Sequence, residues 1–256
     1  MTHEFPSWAV MWGLGGAIFA FCKVLAAIQA RKVRAPAGRW LGFLFLWPGM
    51  DGHAFLKEKA PPPHGASWGA ALAKTALGAA LFWGVARLVE PPLVRGWIGL
   101  FGLIFLLHFG LFHLLALAWQ KAGVNAVPIM NAPVLAGSLA DFWGRRWNLA
   151  FRDLSHAFLF QPLKGRLGAT GAGVAVFLVS GLIHDLVISL PAGGGYGLPT
   201  AYFLLQAIGV LAERALPRLK GRLFTVIVTA APAFWLFHPP FVTRVILPFM
   251  ETAWAI

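Results

Sequence analysis

Long apolar runs alternate along the chain with short stretches rich in arginine, lysine, proline and glycine. Six runs stand out: Trp8 to Ile28, Trp68 to Leu88, Trp97 to Trp119, Ala169 to Leu190, Pro199 to Ala212 and Leu223 to Phe241. At helical rise they reach roughly 20–34 Å, the scale of a bilayer core, and the shortest needs help from its neighbours. Two segments break the pattern. Trp40 to Pro48 is apolar but short and ends in Trp-Pro-Gly-Met-Asp, which predicts a re-entrant or interfacial helix broken at Pro48. Val242 to Ile256 reads as a further interfacial piece. The expectation is an all-α polytopic membrane bundle, one domain over residues 1–256, with about six full spans plus re-entrant or interfacial helices. No repeat of solenoid or inverted type divides it.

Composition sharpens this. Hydrophobic residues make up 59% of the 256 and charged residues 12%, and the mean hydropathy is +0.72. Soluble domains carry about 25% charged residues, so a water-soluble enzyme and a disordered chain are both excluded. The single cysteine, Cys22, leaves no partner for an intrachain disulfide. The first seven residues hold an acid and no Lys or Arg, whereas a secretory signal starts with a basic region, so no cleaved signal is expected.

A net charge of +12 suggests nucleic acid until the cations are placed. Cytoplasmic loops are enriched in Lys and Arg near span ends. With the N-terminus outside, the inner loops hold sixteen: Arg31, Lys32, Arg34, Arg39, Lys57, Lys59, Lys121, Arg145, Arg146, Arg152, Lys164, Arg166, Arg214, Arg218, Lys220 and Arg222. The outer side holds three, Arg87, Arg95 and Arg244, and Lys23 and Lys74 sit within spans. The excess therefore reports topology in a membrane of the bacterial inner or ER type, and no nucleic-acid partner is expected.

About fifty residues separate the third span from the fourth, and such a long connection is usually functional. Ser138 and Asp141 resemble an N-cap and a first-turn acid, predicting one helix over 138–154. On that helix Leu139, Phe142, Trp143, Trp147, Leu149, Ala150 and Leu154 share a broad face, and Asp141, Arg145, Asn148 and Arg152 form a polar strip opposite. Two readings fit the strip. It is a solvated face of an interfacial helix, or it lines a cytoplasmic mouth where arginine forks meet an anionic substrate.

Further on, Ser180-Gly181-Leu182-Ile183-His184-Asp185 puts two ionisable residues inside a span, His184 about 20 Å from its inner end at helical rise. Ionisable groups at that depth point to function. Ser180 and Gly181 permit close helix approach. Adjacent helical positions diverge by about 100°, so Asp185 cannot orient His184 directly and the histidine's partner must come from elsewhere. Gly193 to Gly195 reads as a flexible outer turn. No nucleophile elbow, phosphate-binding glycine loop or helix-borne zinc motif occurs, and no metal site is expected.

Phe142-Trp143-Gly144-Arg145-Arg146-Trp147-Asn148, followed by Ser180-Gly181-x-x-His184, resembles the membrane-bound O-acyltransferase (MBOAT) superfamily, and more narrowly its wax synthase-like branch. Three blocks carry the likeness: Trp40 to Asp51, Ser138 to Pro162 and Phe177 to Glu213. The resemblance implies transfer of an acyl group from a thioester, commonly acyl-CoA, to the hydroxyl of a lipid-like alcohol, with no cofactor. It implies that His184 is the catalytic histidine and that Asn148 matches the polar position of the upstream motif. Residue chemistry agrees: a neutral imidazole takes the alcohol proton, and an amide holds the acyl carbonyl or donates to the oxyanion. Arg145, Arg146 and Arg152 would meet the CoA phosphates, with Trp143, Trp147 and Asp185 completing substrate binding. The chain departs from the family in being shorter, in Asp185 where plant wax synthases tend to have Glu, and in Gln206 where a histidine often precedes the acidic position at Glu213. Two alternatives from other classes are a non-catalytic lipid-binding or assembly protein with a degenerate acyltransferase core, and a haem-binding electron carrier using His108, His113, His184 or His238.

Overall fold

Apolar residues with little to break them build long helices, and the computed structural model, which describes residues 5–256, has only helical regular elements among those residues. Met1 to Glu4, on which the expectation of an uncleaved N-terminus partly rests, lie outside the described residues. Among the described residues four helices are long and apolar enough to cross a membrane: α1 (Ser7–Ala30), then, after the short α2 (Ala37–Phe45) and α3 (Gly52–Lys57), α4 (Gly65–Leu88), α5 (Pro92–Lys121) and α6 (Leu149–Ala192).

Six full spans are not found among the described residues. The expected fifth span is α7 (Leu198–Ala215), an 18-residue helix with Gln206 and Glu213 buried in it, and it is not apolar enough to count with the four. The expected sixth is a pair, α8 (Arg222–Leu236) and α9 (Pro239–Thr252), bent by 60°. Prolines explain the bend. Pro239 and Pro240 lack amide hydrogens, and the residue before a proline is driven out of the helical region; His238 is extended at φ −63°, ψ 158°. α9 carries most of the stretch 242–256, expected as a further interfacial piece. Val242, Val245, Ile246, Met250 and Ala255 are buried in the protein's own core.

The core has two parts. One gathers Met11, Phe82, Leu100, Phe203, Val245 and Met250, where α1, α4, α5, α7 and α9 meet. The other gathers Ala26, Phe43, Trp47, Phe55, Ala116 and Leu154, where the far ends of α1 and α5 close on α2, α3 and the start of α6. The short helix expected around 40–48 is α2; it ends at Phe45, before Pro48, and residues 46–51 connect it to α3. Lys23 holds this connection. It is buried within α1, its Nζ donates to the Gly49 carbonyl at 2.6 Å, and it sits 4.1 Å from the centroid of the Phe43 ring. A buried ammonium without such partners would be costly, so carbonyl and aromatic face account for a lysine inside a span.

Between α4 and α5 the backbones touch. A Cβ on Gly102 would lie 2.7 Å from the Phe82 nitrogen and 3.0 Å from the Gly78 carbonyl oxygen. Membrane helices associate through such small-residue contacts. Gly102→Val should therefore separate the pair and cost about 1–3 kcal/mol, the usual range for overpacking. The check is the thermal unfolding midpoint in detergent; an unchanged midpoint refutes the contact.

Candidate active site

The connection after α5 ends in a helical turn over 139–146 that begins as expected: Ser138 is its N-cap, and its Oγ accepts from the Asp141 amide at 3.0 Å. The turn does not continue to 154. It widens into a π-helical segment at Phe142–Arg146, Trp147 is extended, and Asn148 is left-handed at φ 43°, ψ 62°. α6 starts afresh at Leu149, with the Asn148 Oδ1 accepting from the Phe151 amide at 3.3 Å as its cap. Asparagine is among the few residues that adopt the left-handed region readily, and it caps helices well. The continuous polar strip is thus corrected. Asp141 and Arg145 do pair at 3.0 Å, but Asn148 and Arg152 belong to another helix.

The break turns the segment into one wall of a cavity of about 380 Å³. Ala140, Trp143, Gly144 and Trp147 form that wall, and Asn148, Phe151, Arg152, Ser155, His156 and Phe160 form the next. α6 is itself broken at Gly168, whose φ 66°, ψ 174° is open essentially only to glycine. Its second half returns Gly173, Val176, Phe177, Ser180 and His184 to the cavity, and α7 closes it with Phe203, Val210 and Arg214. The lining is mostly apolar with a few convergent polar groups, the character of a small-molecule site. π-helical turns recur around it, at Phe142–Arg146, His156–Phe160 and Asp185–Ser189, and such turns are frequent at functional positions.

His184 sits beside Phe203, ring centroids 4.5 Å apart. Its Nδ1 is 2.7 Å from the Ser180 carbonyl oxygen. A carbonyl can only accept, so Nδ1 carries the proton and Nε2 keeps its lone pair. The orienting partner absent from the neighbouring sequence is this carbonyl, one turn back on the same helix. Close approach is also found, since a Cβ on Gly181 would lie 2.6 Å from the Thr200 Cα.

Asp185 does not line the cavity. Its Oδ1 accepts from the Gly197 amide at 2.8 Å and from Ser189 Oγ at 2.9 Å; its Oδ2 accepts from the Thr200 amide at 3.1 Å and from the Thr200 hydroxyl. The turn expected to be flexible at Gly193 to Gly195 is bonded by Ser189, whose hydroxyl also donates to the Gly195 carbonyl at 3.3 Å, and by Arg244, which donates to the Ala192 and Gly193 carbonyls at 3.2 Å. Ser189 also lies 3.1 Å from His238 Nε2. The three side chains resemble a hydrolytic triad, but the protons run the wrong way. The Phe241 amide donates to His238 Nδ1 at 3.2 Å, so Nε2 carries the hydrogen and donates to the serine, which in turn donates to Asp185. The cluster staples α6, α7 and α9 together, with Ser189 and His238 buried and Asp185 half-buried.

The remaining residues singled out in the sequence divide. Trp143 lines the cavity and donates from Nε1 to Gln206 Oε1 at 3.3 Å. Trp147 lines it too, stacked on Phe142. Arg152 is at the rim, paired with Asp153 at 3.1 Å. Arg145 and Arg146 are not in the lining; both are bound to Asp141, at 3.0 and 2.7 Å. Burial alone would raise the Asp141 carboxyl, but the Arg146 hydrogen bond, the Gly137 amide and the two arginine charges together hold it below the ordinary carboxylate value. Glu213 anchors the same wall from α7, both oxygens accepting from the Leu139 amide at 2.9 and 3.0 Å. His156, Phe203 and Arg214 enter the site with no signal in the linear sequence. Of the histidines considered for haem, His113 meets Lys74, His184 meets Ser180 and His238 meets Ser189, and no group of three metal-binding side chains occurs among the described residues.

A helical protein with several long apolar helices, and with a histidine facing a largely apolar cavity beside an asparagine-capped helix, defines a class. Residues 126–205, the segment carrying both groups, match the model of the membrane bound O-acyl transferase family, and over this segment the chain is similar to that family. Its relatives are wax synthase-like. It is 30% identical over 145 residues to the long-chain-alcohol O-fatty-acyltransferase of Simmondsia chinensis, covering 49% of this chain and 41% of that one. It is 34% identical over 143 residues to the probable long-chain-alcohol O-fatty-acyltransferase 2 of Arabidopsis thaliana, covering 48% and 41%. It is 29% identical over 152 residues to the acyl-CoA–sterol O-acyltransferase 1 of the same plant, covering 49% and 43%. The matched part spans about two fifths of each relative's length.

Proposed function

We propose that the protein transfers an acyl group from acyl-CoA to the hydroxyl of a hydrophobic alcohol, with His184 as general base. The observation that carries this reading is the free Nε2 of His184 in a largely apolar cavity, its tautomer fixed by the Ser180 carbonyl. The alcohol proton moves to Nε2 as the alcohol oxygen attacks the thioester carbonyl carbon. The tetrahedral oxyanion collapses, the C–S bond breaks, and the thiolate takes the proton back from the imidazolium. Ester and free thiol leave, and the histidine returns to its starting form.

Because its oxygen is occupied by the Phe151 amide, Asn148 has its NH₂ group available, a donor suited to the developing oxyanion. Trp143, Trp147, Phe151 and Phe177 supply apolar surface for the acyl chain, and Arg152 supplies charge at the rim. Arg145 and Arg146, through Asp141, brace the wall that presents the two tryptophans. Purified protein given labelled acyl-CoA and a panel of fatty alcohols, sterols and small alcohols should yield the labelled ester by mass spectrometry. Lipid binding without ester formation from any acceptor refutes catalysis.

The cation distribution supports an outside N-terminus and an inside cavity mouth. In a Cys22→Ala background, Lys220→Cys should react with an impermeant maleimide only from the inner face and Tyr196→Cys only from the outer. The opposite pattern overturns this orientation.

A further inference from the structure

We propose that Arg214 binds the phosphate of the donor's phosphopantetheine arm, forming with Arg152 an anion site at the cavity mouth that sets the thioester at His184. The proposal rests on the acyl-transfer reading and names a residue and a distance that it does not contain. Arg214 and Arg152 line the same cavity from different helices, Arg214 from the end of α7 and Arg152 from the first turns of α6, with His156 also at the rim. All three side chains are exposed there.

Charge at the mouth is unbalanced. The salt bridges among the described residues engage Asp141 and Asp153, and none involves Arg214. The neighbouring acid, Glu213, is buried and committed to the Leu139 amide. A guanidinium free of carboxylates at the entrance to an apolar cavity suits a phosphate, whose oxygen pairs match its planar fork.

The spacing adds a constraint. Phe203 touches His184 at the deep end, and eleven residues separate it from Arg214 on the same helix. At about 1.5 Å per residue that is roughly 17 Å, comparable to the stretch of an extended pantetheine arm between its sulfur and its first phosphate. A phosphate held at Arg214 therefore leaves the thioester within reach of Nε2. Arg145 and Arg146 do not line this cavity and are turned to Asp141, whereas Arg152 lines it while pairing with its own neighbour Asp153.

Coenzyme A and acyl carrier protein both present this phosphate, whereas an acyl-N-acetylcysteamine thioester presents none. Arg214→Ala should raise the KM for acyl-CoA by about 10- to 100-fold, the usual range for losing a charge-assisted hydrogen bond. The KM for the acyl-N-acetylcysteamine thioester should stay unchanged, and Arg214→Lys should recover part of the loss. Acyl carrier protein as donor separates the sources: a matching rise shows that the shared phosphate is what is bound, and activity with acyl-CoA alone assigns the site to the coenzyme. An unchanged KM for acyl-CoA, or an equal rise with the phosphate-free donor, overturns the proposal. Equilibrium binding of labelled acyl-CoA gives a reading without turnover. Protein that binds acyl-CoA in an Arg214-dependent way but forms no ester refutes the acyl-transfer reading and leaves the anion site standing.

Discussion

Replacing His184 by alanine should lower turnover by about 10²–10⁴-fold, the range for removing a positioned general base. The loss should fall on kcat, with little change in the KM for acyl-CoA, because the imidazole is half-buried beside Phe203 while the exposed arginines Arg152 and Arg214 line another part of the cavity. Stability should change little. The ring's one hydrogen bond goes to a carbonyl that already serves the helix, and its apolar contact is largely with Phe203. His184→Gln is the sharper variant, since it keeps a polar side chain of similar size without a basic nitrogen. Retained turnover in either variant, with protein that extracts and elutes normally, refutes the general-base role. A parallel collapse of folding and activity in both would show instead that His184 is structural.

His184 stands out in the sequence because cost makes it visible: an ionisable residue deep in an apolar run requires a reason. Spans α1, α4 and α5 were legible through length and hydropathy, and the start assigned at Ala169 falls one residue beyond the break at Gly168. The upstream helix was misread because counting 100° per residue presumes that the helix continues. Ser138 and Asp141 gave a true beginning, but nothing in the pattern marked Asn148 as left-handed, and one such residue discards every facial relation drawn across it. The arginines followed the same error. Arg145 and Arg146 are close to Asn148 in sequence yet turned to Asp141, while Arg214, sixty-six positions away, lines the cavity with Asn148. That placement depends on α6 and α7 lying together, a tertiary contact made possible by Gly181 against Thr200. The burial of α9 was hidden likewise, since apolar residues facing lipid and apolar residues facing protein have the same composition.

Asp185 separates a binding residue from a structural one, and its variants should say which it is. Asp185→Ala removes the acceptor for the Gly197 and Thr200 amides and for the Ser189 and Thr200 hydroxyls. Each donor left without a partner costs about 1–3 kcal/mol where water cannot replace the carboxylate. Part of this shell is exposed at the Gly197 amide, so the total should be nearer the 3–5 kcal/mol typical of breaking a buried charged network than the sum of four full penalties. The unfolding midpoint in detergent should fall steeply. Asp185→Asn should fall less, because one oxygen remains to accept while the new NH₂ group faces donors. Folded Asp185→Asn protein should keep the KM for acyl-CoA, since the carboxylate does not reach the cavity, and any loss of kcat should track how far the α6–α7 junction carries His184 with it. Asp185→Glu tests the same point from the other side: it keeps the charge but pushes the carboxylate into Thr200, and should destabilise despite being the conservative change. A raised KM with an unaltered midpoint would place Asp185 against the substrate, as the family resemblance implied.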